Sequence, residues 1–596
     1  MKDFDRRQLL QGATLSGGGL ALNALLPAWA RSATPGLAPS LPTLAGPNID
    51  LTVSRAHLSL DGRAGHAVTV NGTVPGPLLR LKEGQKVRLS IRNDLAEDTS
   101  IHWHGMLVPF QFDGVPGVSF PGIKPGQTFV YEFPIIQSGT YWYHSHSGMQ
   151  EQEGQYGPIV IDPAGDDPVG YDREHVVVLS DFSFTHPHTI FARLKQQSGV
   201  FNFQQETAGS LLAGKDQTLP ERTEWARMRM DPTDISDVTG AAFKFLVNGH
   251  GPRDNWTGLF QPGERVRLRF INAASQTVFN VRIPGLKLTV VAADGQPVRP
   301  VEVDEVQIGN AETYDVIVRP TEDRAFTLVA EAVDRSGLAR ATLAPRAGMS
   351  AAVPPLRERP LATLKDMGMD MSSMSMGGMK MDGMAMDGMA EPGMAPPKAR
   401  GSDVMGDMGG MKMSMRDARN APGVRMGPGV QTIAPMPKDR TGEPGQGLES
   451  VGHRVLVYKD LVALTADPDP RTPTRMMDIH LTGNMERFMW GFDGEKFSET
   501  TRPYTFGKGE RVRVNLINDT MMTHPIHLHG HFFELVHGPK GFGPRKHTVV
   551  VAPGGKVTFD FTAAPGDWAF HCHMLYHMHA GMFQVFSVRP VDGAAT

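Results

Sequence analysis

The sequence predicts an all-β protein made of three copies of one Greek-key β-sandwich domain, and the repeats are the first reason. Glu83-Gly84-Gln85-Lys86-Val87-Arg88-Leu89-Ser90-Ile91-Arg92-Asn93 is echoed by Pro262-Gly263-Glu264-Arg265-Val266-Arg267-Leu268-Arg269-Phe270-Ile271-Asn272 and by Lys508-Gly509-Glu510-Arg511-Val512-Arg513-Val514-Asn515-Leu516-Ile517-Asn518. Each is a turn followed by alternating apolar and polar residues, the pattern of a half-buried strand. Spacing is the second reason. Gly84 to His102 is 18 residues and so is Gly509 to His527, while the same step from Gly263 reaches Val281, with Ile283 where a second His would stand. Gly139 to His144 and Gly566 to His571 repeat a second motif at equal spacing. The third reason is punctuation: 66 Gly and 46 Pro between short apolar runs suit a sandwich rather than a bundle.

Along the chain, residues 1–30 read as an export signal. Asp5-Arg6-Arg7-Gln8-Leu9-Leu10 leads into a modestly apolar stretch from Leu15 to Leu26 and then Ala28-Trp29-Ala30. A basic start, a short apolar run and a small-x-small end make a secretory leader, and the arginine pair favours the twin-arginine (Tat) route to the periplasm. No other stretch is long and apolar enough to span a bilayer, so a mature protein that does not cross the membrane is expected. The three domains are expected at 48–165, 170–345 and 450–590, because 596 residues exceed one core. The linker at 346–449 contains the oddest segment, 367–415, with 16 methionines among Gly, Asp, Ser and Lys. It lacks aromatics and any core-forming period, so disorder is expected there. Thioethers select soft ions, which favours a Cu(I)-gathering stretch over an inert linker. A net charge of −4 gives no electrostatic case for nucleic acid or an anionic membrane surface.

The chemistry gathers in His571-Cys572-His573-Met574-Leu575-Tyr576-His577-Met578-His579-Ala580-Gly581-Met582, around the single cysteine. One cysteine makes neither an intramolecular disulfide nor a Cys₂ zinc site. Thiolate, imidazole and thioether together favour copper, and a His₂Cys site with a weak axial Met is the mark of a blue-copper centre. His571 and His573 join His102-Trp103-His104, His144-Ser145-His146 and His527-Leu528-His529, with His524-Pro525 just before the last. On a strand both His of each pair point one way and the middle residue the other. Eight imidazoles can therefore converge between the first and third domains, with the Cys572 sulfur facing a separate metal. His57, His66, His537 and His547 lack this spacing; these, and His186 and His188 of His186-Pro187-His188, read as surface or locally bonded histidines. Trp103 and Trp142 read as packing.

These motifs resemble the multicopper oxidases, and within them the periplasmic copper-resistance oxidases, over nearly the whole chain. The resemblance implies cupredoxin-like domains and four copper ions. It implies a type 1 copper held by His524, Cys572, His577 and axial Met582, and a type 2 copper held by His102 and His527. It implies a type 3 pair held by His104, His144, His146, His529, His571 and His573. The implied reaction is one-electron oxidation of a donor, Cu(I) or a small reducing substrate such as a phenol, coupled to reduction of dioxygen to water. An axial Met points to a low potential, which suits Cu(I). A periplasmic copper chaperone is a further expected partner. Oxygen reduction needs protons; Asp113, nine residues past His104 in Phe112-Asp113-Gly114, matches the family's acidic residue. Where relatives tend to carry a second acid this chain has Met578 and His579, and His579 is either a proton relay or simply exposed. Two other readings stand beside the cuprous oxidase: a non-catalytic periplasmic copper-sequestering protein, and a laccase with mainly organic substrates.

Overall fold

A computed structural model describes residues 41–369 and 415–590. The expected leader at 1–30 and nearly all of the Met-rich segment lie outside the described residues. Among the described residues the chain is all-β in character, with six sheets that follow one another in pairs. The first pair joins a five-stranded sheet ending in Gly139–His144 and His102–His104 to a four-stranded sheet containing Lys86–Asn93. The middle pair holds six and five strands. In the last pair a seven-stranded sheet contains Arg511–Asn518, and a five-stranded sheet runs Tyr504–Gly507, Phe583–Arg589, Gly566–Cys572, His524–Leu528, Thr548–Val551. Short helices are confined to connections, chiefly Pro187–Gln196, Leu219–Met228 and Leu575–Ala580. No described helix is long and apolar enough to cross a membrane.

The three repeated runs occupy equivalent places. Lys86–Asn93, Val266–Asn272 and Arg511–Asn518 each pair parallel with one strand and antiparallel with another. Each ends in a buried asparagine whose amide donates to a backbone carbonyl of a segment distant in sequence: Asn93 to Ile123 O (2.8 Å), Asn272 to Ile308 O (3.0 Å) and Asn518 to Val551 O (3.1 Å). In each case the asparagine Oδ1 accepts a backbone N–H two residues on. A buried side chain that satisfies otherwise orphaned backbone groups explains why the runs end in this residue.

The alternation expected of a half-buried strand holds in Lys86–Asn93, where Val87, Leu89 and Ile91 are buried while Lys86, Arg88 and Arg92 are exposed. It does not hold in Val266–Asn272, which is buried throughout. The polar face of that strand, Arg267 and Arg269, is covered at the seam with the first pair of sheets. Arg267 Nη2 and Arg269 Nη1 meet Asp315 Oδ2 at 2.6 and 3.0 Å, and Thr140 donates to Asp315 Oδ1 at 2.8 Å. Two guanidiniums away from water need a carboxylate. Asp315→Ala is expected to destabilise the copper-free chain, because it takes one of two carboxylates from each buried cation and leaves Arg267 with Asp167 and Arg269 with Glu174 alone. A lower urea midpoint is the expected reading; an unchanged midpoint would show that the seam stands without this carboxylate.

Candidate metal centre

Strand register brings the histidine pairs together. His102–His104 lies antiparallel to Gly139–His144, so that His102 faces His144. In the last sheet His527 faces His571 and Ile526 faces Cys572. Gly139 (φ 131°) and Gly566 (φ 141°) start the two partner strands in a conformation glycine adopts freely. The two strand pairs then meet face to face: His104 stacks on His527 at 3.8 Å between ring centres, and His102 lies 3.9 Å from His529. His146 and His571 are 5.1 Å apart, as close as His104 and His573 at 4.9 Å. All eight histidines of the paired motifs thus border one volume. In the middle sheets Val281 and Ile283 occupy the corresponding positions and are buried apolar residues.

The hydrogen bonds decide which nitrogen of each ring is free. His102 Nδ1 meets Asp113 O at 2.6 Å, His527 Nδ1 meets His547 O at 2.6 Å and His571 Nδ1 meets Cys572 O at 2.9 Å. His529 Nδ1 meets the Asp113 carboxylate at 2.8 Å. The inward nitrogens contrast with these. Nε2 of His102, His144, His146 and His527, and both nitrogens of His104 and His573, are buried with no partner. Burial, followed by the neighbouring imidazoles, pushes His104, His527 and His529 well below the usual histidine range, and burial holds His571 at about 4. Neutral, desolvated rings turn lone pairs into a shared space and leave them unsatisfied. That donor set fits copper, for which imidazole is a good ligand.

A second donor set lies one residue away along the chain. Cys572 Sγ is 3.6 Å from His524 Nδ1 and 3.7 Å from His577 Nδ1, and those nitrogens are 3.2 Å apart. The far side of each ring is anchored, His524 Nε2 on Thr520 Oγ1 at 2.8 Å and His577 Nε2 on Asp237 Oδ2 at 2.6 Å. Both Nδ1 lone pairs are thereby aimed at sulfur. The helix Leu575–Ala580 delivers His577. Met582 is buried, and its carbonyl accepts the Cys572 N–H at 3.1 Å. Trp490 stacks on His577 at 4.0 Å and shields it. Burial pushes the Cys572 thiol far up; a bound cation reverses that preference, since coordination deprotonates a thiol. The set fits copper on softness as well as on shape.

Asp113 sits at 0% exposure between two cluster histidines, its backbone carbonyl on His102 and its carboxylate on His529. Asp113 and Gly114 also make a tight turn. Gly114 (φ 84°) lies so close to the chain that a Cβ there would stand 1.9 Å from Ile101 O. His579 is exposed and donates to Gly148 O at 2.7 Å. The buried acid beside the cluster is instead Glu151, whose Oε2 is 2.7 Å from His144 Nδ1 while Oε1 has no partner. Nothing in its local pattern, Gln150-Glu151-Gln152-Glu153, marks it from sequence. Asp237 was equally illegible, because it reaches His577 across 340 residues. Of the two readings for His547, surface or locally bonded, the second holds: it is 0% exposed with Nδ1 on Thr548 Oγ1 at 3.0 Å, while Nε2 is buried without a partner. His57, His66, His186 and His188 are exposed. Asp113→Ala removes the outer partner of His529 and is expected to weaken retention of cluster copper by about 10–100-fold, the usual effect of losing a partner that orients a ligand. Copper bound against a graded chelator reads this; parent-like retention would show that Asp113 only shapes the turn.

With the geometry in hand, three multicopper oxidase family models match residues 52–166, 174–349 and 470–592. Copper resistance protein A of Escherichia coli is 48% identical over 605 residues, covering 97% of this chain and 98% of that protein. Copper resistance protein A of Pseudomonas syringae pv. tomato is also 48% identical, over 608 residues with 97% and 98% coverage. Among solved structures, Fet3p, a multicopper oxidase that functions in iron import, matches with a TM-score of 0.59 at 18% identity, covering 92% of this chain and 91% of that one. Three matched family segments and near-half identity along almost the full length place this chain in the multicopper oxidase family, copper-dependent oxidoreductases that use dioxygen as electron acceptor.

Proposed function

We propose that the protein is a periplasmic cuprous oxidase of copper resistance, holding four coppers. His524, Cys572, His577 and Met582 hold the type 1 ion, His102 and His527 the type 2 ion, and His104, His144, His146, His529, His571 and His573 the type 3 pair. Copper in these sites supplies one-electron chemistry, taking electrons singly from a donor and passing four to dioxygen. The protein's part is position. Cys572 and its two flanking histidines form a covalent bridge of three residues between the two donor sets. Trp490, Phe488 and Asp237 keep water from His577. Asp113 Oδ1, buried without a hydrogen-bond partner 3.4 Å from His102 Nδ1, is the atom suited to hand protons inward. Glu151 is a second such carboxyl, on the His144 side.

The observation that carries the choice of donor is Asp237. The outer edge of His577, where an electron must arrive, ends in a buried carboxylate and not in an apolar slot. Asp234 is buried close by in sequence with an unpartnered oxygen. Such an edge suits a small cation better than an aromatic ring. The ends of the Met-rich stretch support the same reading. Met415 O and Gly368 O accept from Ile433 and Met436 N–H, and the neighbouring Gln431 is bonded to Gly483 and Met485, close in sequence to Trp490. The twin-arginine leader and the copper-resistance relatives support the periplasmic role. Dioxygen and Cu(I) are then the reactants, and a copper chaperone is a fitting supplier.

Oxygen uptake with Cu(I) is expected to vanish in Cys572→Ser along with the blue absorption; equal uptake would favour a sequestering protein. Deleting 370–414 is expected to lower Cu(I) oxidation at least tenfold while leaving oxidation of a phenol near the parent rate. A parallel loss of both would favour a laccase with organic substrates.

A further inference from the structure

A ninth imidazole reaches the cluster. His547 lies between Arg545–Lys546 and Thr548–Val551, 18 residues beyond His529, and is fully buried. Its ring stands 4.8 Å from His104 at 78° and 5.6 Å from His527 at 87°. A ring nitrogen from each of His104, His527 and His547 lies within 4.8 Å of the other two. The ring is seated tightly: at Gly105 (φ 79°) a Cβ would stand 2.4 Å from His547 Cδ2 and 2.5 Å from Nε2. A histidine there for space alone would not need an unpartnered nitrogen, yet Nε2 is buried with none.

Two leftovers complement each other. A metal-bound imidazole nearly always gives its other N–H to an acceptor. His102, His144, His527, His529 and His571 have an oxygen on Nδ1, but His104 and His573 have a partner on neither nitrogen, and of these two it is His104 that groups with His547. On the far side of His547, Nδ1 meets Thr548 Oγ1 at 3.0 Å and Asp294 Oδ2 at 3.6 Å. That carboxylate also accepts the backbone N–H groups of His547 and Thr548, each at 3.1 Å. A carboxylate behind Nδ1 keeps the proton there and leaves Nε2 as an acceptor. A gap of up to 4.8 Å to His104 is one that a single bridging water spans. Resting on the copper assignment above, we propose that His547 is a positioning residue of the cluster: held by Asp294 of the middle sheets, its Nε2 accepts the outer N–H of His104, directly or through one water, and fixes which nitrogen of His104 faces copper. The middle repeat, stripped of its own histidines, would thereby still shape the metal site.

The test compares His547→Phe, which fills the space without an acceptor, with His547→Gln, which restores one. Purified full-length proteins are loaded with copper, and bound copper, the blue band and the near-ultraviolet absorption of the coupled pair are read against a graded chelator. Unfolding midpoints of the copper-free chains serve as the folding control. His547→Phe is expected to keep the blue band and to lose cluster copper about 10–100-fold more readily, with the near-ultraviolet absorption, while His547→Gln recovers most of the loss. Parent-like retention in His547→Phe, or equal loss in both variants, overturns the proposal. A parent chain with no cluster copper overturns the copper assignment itself and this inference with it. If the Phe variant does not fold, His547→Leu, smaller than imidazole, takes its place with the same two outcomes.

Discussion

The two-residue period of a β-strand is the constraint on which the site depends. In Gly566–Cys572 and the residue that follows, it sends the rings of His571 and His573 to one side and the sulfur of Cys572 to the other. No loop would separate two metal-binding functions by one peptide unit so reproducibly. The antiparallel register that sets His102 opposite His144 and His527 opposite His571 doubles the effect on each side. The two strand pairs meet face to face, and their histidines are buried.

Dryness has a cost, and the structure meets it unevenly. Buried imidazoles without partners are unfavourable in a bare chain, and burial holds them neutral. Neutral rings are what a metal ion requires, so the burial that keeps them neutral also prepares them to bind one. The outer nitrogens are tied to carbonyls and carboxylates, which fixes the rings before any ion arrives. Tight backbone supports this at two glycines, Gly105 against His547 and Gly114 against Ile101.

Much of this was legible in the sequence. Equal steps of 18 residues from Gly84 and Gly509 gave the repeat and its histidines, and Val281 and Ile283 marked the copy that lacks them. What stayed hidden came from contacts between distant segments. The polar face of Val266–Asn272 reads as solvent-facing, yet Arg267 and Arg269 are sealed by Asp315 and Thr140. Asp237 reaches His577 from the middle sheets, Glu151 reaches His144 from a turn, and His547 lacks any paired spacing. Periodicity reports which face of an element is apolar. It does not report what another domain lays across the polar one.

The central claim is that Cys572 and its flanking histidines join two distinct copper sites. Diffraction from copper-loaded crystals at the copper absorption edge tests it most directly. One anomalous peak beside the Cys572 sulfur and a separate group of three among the eight paired imidazoles is the expected result. Peaks at the sulfur alone, or copper scattered over surface histidines with the imidazole cluster empty, would contradict it.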